Sequence, residues 1–147
     1  MGLVLDASAA LAWLVDRVDP AETRLADDVL RHIQSRDALV PALWFAEVAN
    51  GVLVAERRGG VGNSASASFM GMVYALPIVE DGTRLSSVQA TVLTLARAYK
   101  LTAYDATYLE LVLRVGGTLA TFDRDLASAV RLAGGRVFGD ADANAAP

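Results

Sequence analysis

The sequence predicts a single α/β domain with a mostly parallel central sheet flanked by helices. Short apolar runs of the strand type alternate with longer helical segments, which is the pattern of a parallel sheet covered on both faces. The 147 residues suffice for one hydrophobic core and leave too little chain for a second. Hydrophobic residues make up 54% and charged residues 20%, a balance typical of a globular chain rather than a disordered one.

The chain opens on a buried strand followed by two helices. Residues 2–6 are apolar up to the final acid, which predicts a buried strand that ends at that acid. A helix is expected over about residues 8–15, and an Asp-Pro pair at 19–20 breaks the chain after it. Residues 21–35 carry apolar side chains at helical spacing and predict an amphipathic helix.

A second strand precedes two further helices. Residues 38–41 suit a short strand, and residues 42–58 are apolar nearly all round, which predicts a buried helix. The glycine-rich stretch 59–63 predicts a turn rather than a phosphate-binding loop, because it follows a helix and no Gly-Lys-Ser/Thr completes it. A helix over residues 64–75 then leads to a short strand over 77–80.

The remaining elements repeat the alternation. An Asp-Gly-Thr start signal precedes the long helix predicted over residues 85–100. The helix over 105–115 ends at a glycine pair. Residues 118–122 are β-branched or aromatic, so they predict a strand, and an acid again follows it. The last helix is expected over 126–132 and the last strand over 136–138.

The ends and the composition exclude several classes of protein. The domain is expected to span residues 1–139, because residues 140–147 lack core-forming side chains and predict a disordered tail. There is no cysteine and only one histidine, so thiolate sites, zinc-histidine sites and serine triads are excluded. No membrane span and no secretory signal are expected, and a cytoplasmic protein is the simplest interpretation. The net charge of −4 argues against a broad basic DNA-binding surface.

Four acids lie in unusually apolar surroundings. Asp6 and Asp123 each follow a predicted strand, at the sheet edge where functional groups collect. Asp105 opens a predicted helix. For these three, helix capping is the alternative interpretation, because Asp is common at that position. Glu47 lies mid-helix, where capping cannot explain it, and no lysine or arginine stands four residues before or after it.

Together the four carboxylates indicate a site for a hard cation. Oxygen ligands suit Mg²⁺ or Mn²⁺, and without a cation the carboxylates would repel one another and raise one another's pKa values. A metal held there can activate a water and stabilise the charge that develops on a phosphate. Asn50, one turn after Glu47, shares its helix face and is predicted to hold the Glu47 carboxylate by hydrogen bonds.

Four short motifs follow one another along the chain, one around each of these acids. They span residues 3–11, 41–50, 104–109 and 121–126. In this order and spacing they resemble the acidic motifs of PIN domains, especially those of VapC-type toxins, over about residues 3–138. The resemblance implies a PIN-like three-layer fold and Mg²⁺- or Mn²⁺-dependent cleavage of RNA phosphodiester bonds.

The resemblance also implies partners. It predicts the toxin component of a type II toxin–antitoxin system, a homodimer inhibited by a cognate VapB-like antitoxin. DNA would be contacted only indirectly, through the antitoxin.

The same resemblance assigns roles to individual residues. It makes Asp6, Glu47, Asp105 and Asp123 the catalytic acids, and all of these except Glu47 metal ligands. Two supporting residues, Ser8 and Thr121, match polar positions that form hydrogen bonds near the metal. A third, Asp125, either assists or replaces Asp123, or it caps the helix that follows.

Two other functions fit part of the pattern. A metal-dependent phosphohydrolase of the haloacid-dehalogenase-like type would use Asp6 as its nucleophile, but it expects a second acid where Ser8 stands. A PIN-like module that only binds a partner would typically have lost one of the acids, and none is missing here. Cleavage of RNA, rather than of a small phosphate ester, distinguishes the nuclease from both.

Overall fold

Five short strands form the central sheet of the computed structural model, which describes residues 2–141. The strands are β1 (Leu3–Leu5), β2 (Ala38–Val40), β3 (Ile78–Glu80), β4 (Thr118–Ala120) and β5 (Arg136–Val137). Their order is β3-β2-β1-β4-β5, and every pair of neighbours runs parallel. The predicted parallel sheet is therefore confirmed.

The helices connect the strands and flank the sheet, as the alternation in the sequence predicts. Those in the described residues are α1 (Ala7–Leu11), α2 (Pro20–Ile33), α3 (Leu43–Arg57), α4 (Asn63–Ala75), α5 (Leu85–Tyr99), α6 (Ala103–Val115) and α7 (Arg124–Leu132). Among them, none is both long and apolar enough to cross a membrane.

Burial in the sheet follows the apolar pattern of each strand. All three residues of β1, the central strand, are buried, and β4 beside it places Leu119 and Ala120 in the core. Strand β3 forms an edge of the sheet, and its Val79 is 44% exposed. The core therefore lies around β1 and β4, the two strands between which the order of strands in the sheet reverses.

This reversal of strand order determines where a ligand can bind. From β1 the chain builds β2 and β3 on one side, and it then returns to place β4 and β5 on the other side. In open parallel sheets, the carboxyl ends of the two strands at such a switch point leave a crevice in which ligands bind. Asp6 directly follows β1, and Thr121 directly follows β4.

Helix boundaries differ from the sequence prediction by two residues or more in four places. Helix α2 ends at Ile33 rather than at residue 35, and α7 begins at Arg124 rather than at residue 126, directly after its cap Asp123. Helix α1 ends at Leu11 rather than near residue 15, because the next amides at Trp13 and Leu14 bond back three residues instead of four, which tightens the chain into turns. Helix α6 begins at Ala103 rather than Asp105, because the Thr102 side chain caps it.

At the end of the chain, Asp140 lies in a turn and accepts two hydrogen bonds from Arg131. Residues 142–147, most of the predicted disordered tail, lie outside the described residues, and their disorder stays a prediction.

Candidate active site

The four acids singled out in the sequence come together at the carboxyl edge of the sheet. Asp6 follows β1 and Asp123 lies just beyond β4, while Glu47 and Asp105 are brought in by α3 and α6. Repulsion between their charges couples Asp6 with each of the other three. These four residues are called the acidic cluster below.

Two hydroxyl groups hold the carboxylate of Asp6. The Oγ of Ser8 and the Oγ1 of Thr121 each donate to Asp6 Oδ2, both at 2.6 Å. The Ser8 oxygen accepts from the backbone N–H of Phe122 at 2.9 Å, and the Thr121 oxygen accepts from that of Asp123 at 3.0 Å. Each hydroxyl accepts a hydrogen bond from a backbone N–H and donates one to Asp6. Because of these bonds, the network fixes the orientation of the carboxylate.

Asp6 is therefore more than a helix cap. It occupies the position before α1, yet its side chain makes no capping hydrogen bond. The residue is only 5% exposed, and burial raises the pKa of its carboxyl group, with a smaller contribution from the nearby charge of Asp123. The hydrogen bonds from Ser8 and Thr121 act in the opposite direction and favour the ionised form.

Glu47 receives its hydrogen bond from a tyrosine rather than from Asn50. The hydroxyl of Tyr108 on α6 donates to Glu47 Oε1 at 2.7 Å, and the Tyr108 side chain is fully buried. Asn50 is exposed and makes no hydrogen bond to Glu47, so the predicted contact between these two residues is wrong. Helical spacing allowed the contact, but tertiary packing brought a different donor.

The pKa of Glu47 reflects a half-buried position among like charges. Burial is the largest cause of the raised pKa, and the charges of Asp6 and Asp105 add to it. The hydrogen bond from Tyr108 lowers the pKa and favours the carboxylate. Burial raises the pKa of Tyr108 itself, so its hydroxyl keeps its proton and acts as a donor.

Asp105 is not the cap of its helix. The Oγ1 of Thr102 occupies that role and accepts from the backbone N–H of Asp105 at 3.1 Å. Asp105 thus lies in the first turn of α6, and its carboxylate does not cap the helix. Burial, followed by the charges of Asp123 and Asp6, raises its pKa to about 6, while a hydrogen bond from Thr102 opposes the shift.

Asp123 does cap a helix, whereas Asp125 does not. The Oδ1 of Asp123 accepts from the backbone N–H of Leu126 at 2.8 Å at the start of α7. The alternative interpretation from the sequence therefore applies to Asp123, which lies in the acidic cluster at the same time. Asp125 is exposed in the first turn of α7, and its charge contributes to the raised pKa of Asp105.

The donors of the acidic cluster fit a hard divalent cation that keeps part of its water shell. Every donor is a carboxylate or hydroxyl oxygen, and the ion pairs of the described residues all lie elsewhere. Within residues 2–141, no three acidic or histidine side chains converge closely enough to enclose an ion. Mg²⁺ typically binds through one or two carboxylates, waters and substrate phosphates, which suits so open an arrangement. Direct ligation by Asp6, Asp105 and Asp123 stays a prediction.

One arginine lies beside the acidic cluster but is held by another partner. The guanidinium of Arg17 lies 4.8 Å from the centre of the Phe122 ring, and its Nε donates to Glu22 at 2.7 Å. Phe122 stands between Thr121 and Asp123 in the chain. The positive charge of Arg17 is therefore already paired.

Tyr108 belongs to a motif of the sequence that assigns it no role of its own, and Arg17 lies outside all four motifs. Tyr108 lies three residues after Asp105, which places both on one face of α6 and was a usable signal. Nothing in the sequence links Arg17 to Phe122, because their contact joins the loop after α1 to the segment after β4.

The raised pKa of Asp105 gives a testable dependence of stability on pH. Folding raises this pKa from the ordinary 3.8 to about 6, so between these values the folded protein retains a proton that the unfolded chain has released. The free energy of unfolding should therefore fall as pH rises through this window, by about 1 kcal/mol once solvent screening of the half-exposed group is allowed for. Thermal melts in EDTA measure this slope.

Asp105→Asn should remove that part of the slope and make the metal-free protein more stable above pH 6. Asp37→Asn is the matched control, because Asp37 is exposed at the opposite edge of the sheet, just before β2. Equal slopes in wild type and Asp105→Asn would show that folding does not raise the pKa of Asp105.

The fold and the acidic cluster define a class of protein that the comparisons identify. The PIN domain family matches residues 3–132, and the chain therefore belongs to this family. Ribonuclease VapC3 of Pyrobaculum aerophilum is 30% identical to the chain over 129 residues, which cover 86% of this chain and 93% of that relative. The resemblance to VapC-type PIN domains is thus confirmed.

Solved structures agree with this assignment. PAE2754 from Pyrobaculum aerophilum has a TM-score of 0.63 at 25% identity, with 93% of this chain and 83% of that chain covered. FitAcB from Neisseria gonorrhoeae has a TM-score of 0.62 at 16% identity, with 93% and 96% covered, and this second likeness concerns the fold alone.

Proposed function

We propose that this PIN-domain protein is an endoribonuclease that depends on Mg²⁺ or Mn²⁺ and acts as the toxin of a type II toxin–antitoxin system. The observation that carries the proposal is the acidic cluster: four carboxylates at the switch point of the sheet, with raised pKa values for three of them and no ion pair to a described residue. The relative named Ribonuclease VapC3 supports RNA as the substrate.

In this proposal Asp6, Asp105 and Asp123 hold the metal, in part through its bound waters, and Ser8 and Thr121 keep Asp6 in the ligating orientation. A bound divalent ion supplies positive charge for the phosphate and lowers the pKa of a water.

Glu47 is assigned the proton-accepting role. Its Oε1 is engaged by Tyr108, which leaves Oε2 to take a proton from the attacking water. The pKa of Glu47 is raised above that of an ordinary glutamate and is therefore closer to neutral pH. A general base is most effective when its pKa lies near the pH at which the enzyme works.

The assay that tests the proposal uses two substrates. Purified protein with Mg²⁺ should cleave single-stranded RNA internally and leave a small phosphate monoester such as p-nitrophenyl phosphate intact. Hydrolysis of the monoester alone would support the haloacid-dehalogenase-like alternative, although two hydroxyl donors on Asp6 Oδ2 weaken that oxygen as a nucleophile. Cleavage of neither would leave the non-catalytic binding module.

The proposed antitoxin is a VapB-like protein, as the VapC type implies, and the site of action is the cytoplasm. The acidic cluster has no ion pair of its own among the described residues, so an antitoxin arginine entering it would offset its charge and compete with the metal. Helix α3 offers an apolar contact surface, since Phe45 and Leu53 are each 45% exposed. Inhibition should therefore weaken as Mg²⁺ rises.

The proposed homodimer is supported by the exposure of α5. This helix has 15 residues, of which only Val92 is buried, while Leu85 and Leu93 are 40% and 43% exposed. Apolar side chains left in water favour association with a second copy. Light scattering at micromolar concentration should give twice the chain mass, and Leu93→Glu should shift the population toward the monomer. A monomeric wild-type protein would contradict this part of the proposal.

A further inference from the structure

A groove of about 750 Å³ lies between α2 and α7, directly beside the acidic cluster. Two residues of the candidate active site, Thr121 and Asp123, form part of its wall. From there it extends to Phe138 and Asp140, which follow β5. This feature is called the α2–α7 groove. None of the functions proposed above makes use of it.

The acids that line the α2–α7 groove are already neutralised, apart from Asp123 in the acidic cluster. Each of the other three forms an ion pair with an arginine, so their charges are compensated within the described residues. The pairs are Glu22 with Arg17, Asp28 with Arg31, and Asp140 with Arg131.

Two arginines of the same wall have no such partner. Arg24 on α2 and Arg124 at the start of α7 are both exposed, and neither forms an ion pair or hydrogen bond within residues 2–141. The uncompensated charge of the groove wall is therefore positive, next to an acidic cluster that suits a cation. This arrangement of charges complements a polyanion that places one phosphate at the acidic cluster, where a cation would bind, and further phosphates along the groove.

The aromatic rings of the groove wall are already engaged. The guanidinium of Arg17 covers the Phe122 ring, and the ring of Phe138 packs against His32 with centroids 5.5 Å apart in an edge-to-face arrangement. A nucleobase that stacks on a protein needs an open aromatic face. The unpaired charged side chains of the groove offer contacts to phosphates, and phosphate contacts carry no sequence information directly.

From these observations we infer that the α2–α7 groove binds the phosphate backbone of the RNA on one side of the cleavage site, through Arg24 and Arg124. The inference rests on the proposed ribonuclease function and names the part of the protein that holds the RNA strand. Recognition by these two arginines is independent of base sequence.

The direct test measures RNA binding without cleavage. A fluorescently labelled single-stranded RNA of about 12 nucleotides is titrated with Asp6→Asn protein at several salt concentrations, and the same is done after adding Arg24→Ala and Arg124→Ala. At low salt the added pair should weaken binding roughly 10-fold or more, equally for RNAs of different sequence. The slope of log Kd against log salt should fall by about 1.4, because each phosphate contact on a single strand contributes about 0.7.

Matched variants separate the groove from general charge effects. Arg36→Ala removes an exposed arginine in the connection between α2 and β2, at the opposite edge of the sheet, and should leave Kd and slope unchanged. Arg24→Lys with Arg124→Lys should restore most of the binding, because a lysine still contacts phosphate as a point charge. In a background that retains Asp6, the alanine pair should raise KM and leave kcat unchanged.

Two results would overturn the inference. One is a Kd and salt slope for the alanine pair equal to those of Arg36→Ala. The other is unchanged RNA binding together with lost binding of a protein partner, which would assign the groove to that partner. Failure of wild type to cleave RNA would contradict the proposed function instead, since the binding titration reports on the groove by itself.

Discussion

Asp6→Asn is expected to fold like wild type and to cleave RNA more than about 100-fold more slowly. The amide oxygen of asparagine can accept the hydrogen bonds from Ser8 and Thr121 in place of Oδ2, so the network around it is kept. What is lost is the negative charge, and with it the attraction for a divalent cation. Single-turnover cleavage of a labelled RNA, together with a thermal melt, measures both effects.

Asp105→Asn should lose activity to a similar extent, and Asp37→Asn should keep the wild-type rate. Asp37 is exposed and stands before β2, away from the carboxyl edge of the sheet, so the control removes the same charge outside the acidic cluster. Cleavage at the normal rate by purified Asp6→Asn or Asp105→Asn protein would remove that residue from the mechanism.

Tyr108→Phe is expected to lower kcat by about 10-fold or more while the fold is retained. The ring stays packed in the core, and only the hydroxyl that donates to Glu47 Oε1 is removed. Because that hydrogen bond lowers the pKa of Glu47, its loss should raise the pKa further. The acid limb of the pH–rate profile should therefore move to higher pH.

The pH profile separates a positioning role for Tyr108 from a merely structural one. A general loss of packing would lower the rate at every pH without moving the acid limb. Tyr74→Phe serves as the control, because Tyr74 is 78% exposed on α4 and should change neither rate nor profile. An unshifted limb in Tyr108→Phe would mean that Glu47 does not act as the base.

The order of strands and helices could be predicted from the sequence because local signals agreed with the fold. Strand β1 is apolar throughout, and Asp19 and Pro20 supply a capping side chain and a first helical residue for α2. The start of α6 differs from the sequence prediction because two side chains compete to cap the helix. Both Thr102 and Asp105 are suitable caps, and only the folded backbone shows that the threonine is used.

The acidic cluster could be assembled from the sequence, but its internal contacts could not. Strand ends place Asp6 and Thr121 at one edge, yet their hydrogen bond joins residues 115 positions apart in the chain. The Tyr108–Glu47 contact likewise depends on how α6 packs near α3. Such long-range pairs have no local signature, whereas helical spacing favours Asn50 as the donor.

The positions of basic residues in the sequence nevertheless distinguish Glu47 from Glu110, a second glutamate in apolar surroundings. Glu110 on α6 is 6% exposed, more buried than Glu47, but Arg114 four residues later pairs with it at 2.8 Å and also reaches Asp81 at 2.6 Å. Glu47 has no arginine or lysine at that spacing. The same helical rule thus identifies Glu110 as part of a structural ion pair and leaves Glu47 as a functional candidate.

In the proposed function, the acidic cluster binds the metal that makes RNA cleavage possible. The most direct measurement is the cleavage rate of one defined RNA by purified wild-type protein during a titration with Mg²⁺ and then with Mn²⁺, starting from protein treated with EDTA. We expect no cleavage in EDTA, a rate that rises and saturates with either ion, and renewed loss of cleavage when EDTA is added back. Cleavage at an undiminished rate in EDTA, or none at any concentration of either ion, would contradict the proposed function.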